Sequence, residues 1–313
     1  MLSLWKSLAC TILGLCAAGS LTGASAAIAR PGTVNYAEGT VTLNGRPVAA
    51  KTLGSIELES GQELRTGQGK AEMLLTPGVF LRLGDNSAIR MVSPSLIDTR
   101  VELEAGTALV EVDQIEKENR LGVVDHEIDT TLEKKGIYRF DADRPLVAVL
   151  DGKAVVHDDD RTVEVKKGKE LSLDGGTKPQ SFDRKATDEL YAWSRLRSQY
   201  LANASLASAQ TIVVSNPGWY GPGWFWNPWY ASWAFVPGDP FLYSPFGFGF
   251  YGPSYFSYTR PVYRGYYPGY RPGFHGGTGF RGGGVVTPPR PSLRPAAPAL
   301  GGSGVRFGAT GRR

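Results

Sequence analysis

The chain has 313 residues, a net charge of only +4, two cysteines and three histidines. Both cysteines, Cys10 and Cys16, lie close to the N-terminus, so the rest of the chain has no material for a disulfide framework or a cysteine metal site, and so few histidines leave little for a Ser-His-Asp arrangement. From Thr211 onward nine arginines face the single acid Asp239, a net +8; with +4 overall, the preceding part sums to −4, so an acidic body is followed by a basic tail.

Residues 1–26 read as a cleavable secretory signal. Lys6 is followed by an apolar run from Leu8 to Ala18 and by small residues ending in Ala24-Ser25-Ala26. Cleavage there removes both cysteines. Lipidation at Cys16 is disfavoured because Leu15 stands where a small residue is needed. No later run approaches the roughly 20 apolar residues of a membrane-spanning helix, so the expected address is the periplasm or the cell surface.

Residues 27–182 form the next unit, expected to be all-β. Short apolar or alternating runs recur about every 8–12 residues with Gly, Asn or Asp between them. Examples are Thr40–Leu43, Ala71–Leu75, Val79–Leu83, Val101–Glu104, Ala108–Val112, Leu146–Leu150 and Val163–Val165. Asn44-Gly45 and Asp151-Gly152 carry the composition of tight hairpin turns, where positive φ angles are needed. The loosely repeated phrases "VTLNGRPV", "EAGTALVEV" and "LDGKAVVHD" each feed a glycine turn into a strand, which fits an irregular β-sandwich or β-roll.

The period changes over 183–209. Leu190, Trp193, Leu196 and Tyr200 make one apolar stripe on an amphipathic helix, with Asp183 or Thr187 as its cap. The helix is expected to dock through that stripe. Residues 210–268 are an aromatic segment rich in Gly and Pro, and 269–313 have neither helix nor strand periodicity and read as disordered. The expected fold is therefore mostly β, with one long helix and a low-complexity, largely disordered tail.

The phrases "GTVNYAEGTVTLNG", "LESGQELRTGQGKAEMLLTPGVFLRLGDNSAI", "VELEAGTALVEV" and "LVAVLDGKAVVHDDDRTVEVKKGKELSL" resemble the FecR-domain family of bacterial envelope proteins, over 32–173. The resemblance implies an all-β module outside the inner membrane, which in signalling members relays a siderophore-receptor signal to a sigma factor. Those members carry a cytoplasmic segment and a membrane helix ahead of the domain; here a cleavable signal stands in that place. Where relatives show a Gly-Thr-x-Phe turn, this chain has Gly136-Ile137-Tyr138-Arg139-Phe140.

Chemical motifs are sparse. His126-Glu127-Ile128-Asp129-Thr130 starts like a zinc-protease helix but has Thr130 in place of the second histidine. Gly67-Gln68-Gly69-Lys70 lacks the remaining features of a phosphate loop and reads as a hairpin turn. His157-Asp158-Asp159-Asp160 reads as a solvated loop between two strands. No Gly-x-Ser-x-Gly elbow is present.

The stretch Gly218–Phe235 holds five of the seven tryptophans and no charge. Trp219, Trp224, Trp226, Trp229 and Trp233 suit sugar rings, lipid headgroups or aromatic partners, or else fold back as a covering layer over the β domain and helix. Arg260, Arg264 and Arg271 interleave with tyrosines and suit anionic envelope polymers. The sequence thus points to a non-enzymatic exported envelope protein, without cofactor or metal, that binds or scaffolds through its β domain and tail. Its expected partners are an envelope glycan, lipopolysaccharide or another envelope protein, and not nucleic acid. A periplasmic part in FecR-type signalling is the alternative, and an envelope-associated hydrolase the second.

Overall fold

The computed structural model describes residues 29–257, apart from 159, 160, 217 and 220. The signal at 1–26, the tail at 269–313 and Arg260, Arg264 and Arg271 lie outside the described residues.

Alternating sequence and glycine turns give a succession of short strands. The first are β1 (Val34–Leu43), β2 (Arg46–Pro47), β3 (Glu63–Leu74), β4 (Val79–Leu83) and β5 (Ala88–Ser95). Next come β6 (Asp98–Ala105), β7 (Thr107–Val112), β8 (Arg120–Asp125), β9 (Ile128–Leu132) and β10 (Gly136–Asp141). Then follow β11 (Leu146–Asp151), β12 (Lys153–Asp158), β13 (Arg161–Lys166), β14 (Lys169–Ser172) and β15 (Gln180–Ser181). All belong to one 15-stranded sheet, antiparallel except where β6 runs parallel to β8.

The sheet closes on its own core because β3 serves two layers. Its first residues, Glu63–Arg65, pair with β5, while Ala71–Leu74 pair with β4. One layer continues through β5, β6, β8, β9, β12 and β13, the other through β4, β7, β10, β11, β14 and β15. Side chains pointing between the layers, including Val34, Met73, Leu81, Val110, Phe140 and Val149, make the main core. This is the mostly-β domain, an irregular sandwich or roll, expected from the strand spacing.

Asn44-Gly45 forms the expected tight turn, with φ of 47° and 73°. Asp151-Gly152 does something different: β11 and β12 pair with other strands, so this dipeptide carries the chain from one layer to the other. Gly152 has φ +99°, and a Cβ there would stand 2.3 Å from the Tyr138 hydroxyl. Gly67-Gln68-Gly69-Lys70 is not a hairpin turn either. It lies inside β3, where β1 presses so close that a Cβ on Gly69 would meet the Glu38 carbonyl at 2.3 Å.

Helix α1 runs Glu189–Ser215, later than the expected 183–209. Asp188, rather than Asp183 or Thr187, is its cap, because its carboxylate accepts from the Tyr191 amide at 2.8 Å and also pairs with Arg139 at 2.8 Å. Glu189 reaches Lys70 at 2.7 Å, a second tether at the same end. The docking face also differs from the expected stripe. Leu190 is buried, but Leu196 is 64% exposed and Tyr200 38% exposed. Besides Ala202, Ala204 and Ala209, the buried positions are Leu190, Ser194, the adjacent pair Arg197 and Ser198, Leu201, Ser205, Ser208 and Ile212, which recur at about one helical turn and are mostly small or polar. The surface they meet explains that choice.

After α1 come β16 (Gly223–Asn227), β17 (Ser232–Val236), β18 (Phe241–Tyr243), β19 (Gly249–Tyr251) and the short α2 (Pro253–Ser257). The first two form a hairpin, as do the second two. Together with α1 they cover the outer face of the second layer, and Trp224, Trp233, Phe235 and Phe250 build a second apolar cluster with Phe80, Leu74 and Leu201.

Candidate functional site

Strand alternation directs Glu72, Arg82 and Glu111 away from the main core, which in an open sheet would place them in water. Here α1 and the aromatic hairpins seal that face, and all three side chains are fully buried. Glu72 lies opposite Arg82 across β3 and β4, and the Arg82 Nε donates to Glu72 Oε2 at 2.8 Å while Nη1 donates to Glu111 Oε2 at 2.7 Å. From α1, Arg197 Nη2 donates to Glu72 Oε1 at 2.8 Å and the Ser198 hydroxyl donates to Glu111 Oε1 at 2.6 Å. Two guanidinium groups thus balance two carboxylates, and the polar helix face is the complement of a polar strip on the sheet.

Asn35 of β1 joins the aromatic layer to this network. Its side-chain amide donates to Glu72 Oε1 at 3.0 Å and to the Trp233 carbonyl at 3.2 Å, while its oxygen accepts from the Trp233 amide at 2.8 Å. The Trp233 indole donates to the Gly54 carbonyl at 2.7 Å. Nothing in the local sequence singles out Asn35, because its role exists only once β17 lies beside it.

Burial alone would raise the Glu72 carboxyl, but Arg197 and Arg82 reverse this and hold it at about 2. A carboxylate with a depressed folded pKa stabilises the fold above its unfolded value of 4.5 and loses that contribution as pH falls towards 2, an effect of roughly 3 kcal/mol. Asp113 has the opposite sign: burial and then the Glu111 charge push it well above 3.8, so it favours the folded state at low pH and opposes it as pH rises. Urea unfolding across pH 2–8 should therefore show stability falling steeply below about pH 4. In the same series Asp113→Asn should stabilise the protein at pH 7 with little effect at pH 3.

The five tryptophans separate by environment. Trp224 and Trp233 are 7% and 4% exposed and belong to the core, Trp224 edge-on to Phe80 at 5.3 Å. Their expected role as contact residues is corrected on that ground: the rings are already occupied by the fold. Trp219 is half-buried against Phe225. Trp226 stands over Gly54 at 36% exposure, and Trp229 is 91% exposed in the turn between β16 and β17. Of the two sequence readings of this segment, the geometry is that of a covering layer with two tryptophans left at its surface.

The rings that gather around a concavity are others. A groove of about 680 Å³ runs between β1 and the outer face of α1, lined by Tyr36, Glu38, Trp193, Gln199, Tyr200 and Asn203. Tyr36 and Trp193 lie 6.2 Å apart, and Tyr200 stacks edge-on with Tyr230 at 5.1 Å while donating its hydroxyl to the Tyr230 carbonyl at 2.9 Å. Arg197 passes beneath, its guanidinium 4.1 Å from the Tyr36 ring and 5.0 Å from the Tyr200 ring. Burial, then Glu38, raises the Tyr36 hydroxyl above its ordinary value of 10.0. Leu196 and Tyr200, read from the sequence as docking residues, are thus part of the exposed face. Of the stripe expected from the sequence, Leu190 docks and Trp193 packs partly against its cluster, while Leu196 and Tyr200 stay outside.

The motifs set aside on sequence grounds occupy plain positions. His126 and Glu127 have positive φ in the β8–β9 turn, where His126 Nδ1 meets Asp125 Oδ1 at 2.6 Å. His157 and Asp158 end β12, and Asp158 pairs with Arg161; Asp159 and Asp160 lie outside the described residues. Among the described residues no cluster of His, Cys, Asp and Glu is arranged to hold a metal ion, and no helix is long and apolar enough to cross a membrane.

Two crystal structures of a candidate anti-sigma factor from Parabacteroides distasonis are similar to this chain. Their sequence identities are 17% and 16%, with a TM-score of 0.36 in each case. Each match covers 42% of this chain and 64% of the other, so the chain spans less than two thirds of those proteins. No family model matches the chain, and no curated protein matches it. Likeness of this depth carries no functional information, and the FecR resemblance of 32–173 rests on its glycine and strand phrasing.

Proposed function

We propose that the protein is a non-enzymatic, exported component of a bacterial cell envelope that binds or scaffolds an envelope constituent through the groove between β1 and α1. The observation that supports this is that Leu196 and Tyr200 stand exposed on α1 beside half-buried Trp193, while the opposite face of the helix packs on the sheet. Apolar and aromatic side chains concentrated beside a concavity are the usual mark of a contact surface. In this reading the β-roll supplies rigidity, the buried network fixes α1, and Trp226 and Trp229 extend the contact beyond the groove. Arg260, Arg264 and Arg271 add attraction to anionic envelope polymers.

Retention of the purified protein on isolated bacterial envelopes tests this. Leu196→Glu places a charge on an exposed position without disturbing the fold and should abolish retention, with unchanged urea unfolding. Undiminished retention of that variant contradicts the proposal. A FecR-type signalling role would instead require the same groove to engage a membrane-embedded relay protein, and cross-linking from position 196 into such a protein would favour it.

A further inference from the structure

The groove lining has a composition that selects among ligand chemistries, and the selection rests on the reading of this groove as the contact surface. Tyr36, Trp193 and Tyr200 present rigid ring faces, which pack well against the C–H faces of a sugar ring at small entropic cost. Gln199 and Asn203, one turn apart on α1 and both exposed, each offer a donor and an acceptor, and at the opposite wall Glu38 accepts from the Tyr36 hydroxyl through Oε2 at 3.3 Å and offers Oε1 as a further acceptor. Alternating ring faces and bidentate polar groups match a molecule that carries apolar faces edged with hydroxyls.

Charge disfavours an anionic ligand. Among the described residues Arg197 is the only cation lining the groove, and its guanidinium is bonded inward to Glu72. With Glu38 exposed at the rim, a phosphate or sulfate would meet net negative charge. For a cationic peptide Arg197 already takes one side of the Tyr36 and Tyr200 rings, so hexa-arginine is the comparator that tests this competitor directly. Size agrees: 680 Å³ falls among small-molecule clefts, and Trp193 to Asn203 spans roughly 15 Å of helix, so the site is elongated.

We propose that this groove binds a neutral saccharide chain, with Trp193 and Tyr36 as stacking platforms and Gln199, Asn203 and Glu38 as hydroxyl partners. The test uses the full-length protein with chitohexaose and cellohexaose as neutral probes, and dextran sulfate and hexa-arginine as charged comparators. Calorimetry should give dissociation constants in roughly the micromolar to millimolar range for at least one neutral probe. Trp193→Ala and the surface double variant Gln199→Ala with Asn203→Ala should each weaken binding about tenfold. Because Trp193 is partly packed, the double variant carries the test if Trp193→Ala melts early. Binding of neither neutral probe, or stronger groove-dependent binding of dextran sulfate or hexa-arginine, overturns the saccharide assignment. If envelope retention still depends on Leu196 in that case, the groove stands as a contact surface for another ligand; if retention is also unaffected, both readings fall.

Discussion

Unfolding of Arg82→Met in urea should require about 3–5 kcal/mol less free energy than unfolding of the unaltered protein. Arg82 is fully buried and bonds both Glu72 and Glu111, so its removal strands two carboxylates in a low-dielectric interior with only Arg197, Ser198 and Asn35 to compensate. The thermal midpoint should drop by roughly 10 °C in consequence. The deficit comes from leaving charges unpaired, not from losing an attractive pair. Replacing Glu72, Arg82, Glu111 and Arg197 together with apolar residues of similar size should therefore recover most of the stability. A loss below about 1 kcal/mol for Arg82→Met would mean that water reaches the network and that α1 does not seal it.

The second large effect separates two tryptophans four residues apart. Trp233→Ala should cost about 3–5 kcal/mol, because the ring is buried and its indole holds the Gly54 carbonyl. Trp229→Ala should stay within about 0.5 kcal/mol, because that ring is 91% exposed. Paired melting curves of the two variants measure the contrast. Equal small losses would mean that the hairpin of β16 and β17 does not lie on the β domain.

The strands of the roll were legible because their signals are local: alternation and glycine turns placed Thr40–Leu43, Val79–Leu83 and Ala108–Val112 inside β1, β4 and β7. The tertiary use of turns was not. Asp151-Gly152 has hairpin composition but links two layers, a fact fixed by strand pairings distant in sequence. The helix showed the same limit more sharply. Its apolar stripe through Leu190, Trp193, Leu196 and Tyr200 is real, and a helix normally buries such a stripe. This one meets Glu72, Arg82 and Glu111, and only small and polar residues such as Ser198 and Arg197 can satisfy those groups.

That inversion also decides what the candidate site is. An outward Arg82 in "FLRL" and an outward Glu111 in "LVEV" read as solvent-facing, since nothing in either phrase announces that residues 189–251 will cover them. Once they are covered, Leu196 and Tyr200 are left at the surface beside half-buried Trp193, while Leu190, Leu201 and Ile212 stay buried. The tryptophan-rich stretch drew attention by composition, yet Trp224 and Trp233 serve packing while Trp193, outside that stretch, lines the groove.

Native-state hydrogen exchange tests most directly whether α1 and the aromatic hairpins are an integral layer of the fold. Amides of Leu201–Ser208 and of Trp233–Val236 should exchange with the same opening free energy as those of Leu109–Val112 in the sheet beneath, and Arg82→Met should lower all three together. Rapid exchange in the helix and hairpin beside full protection in the sheet would contradict it.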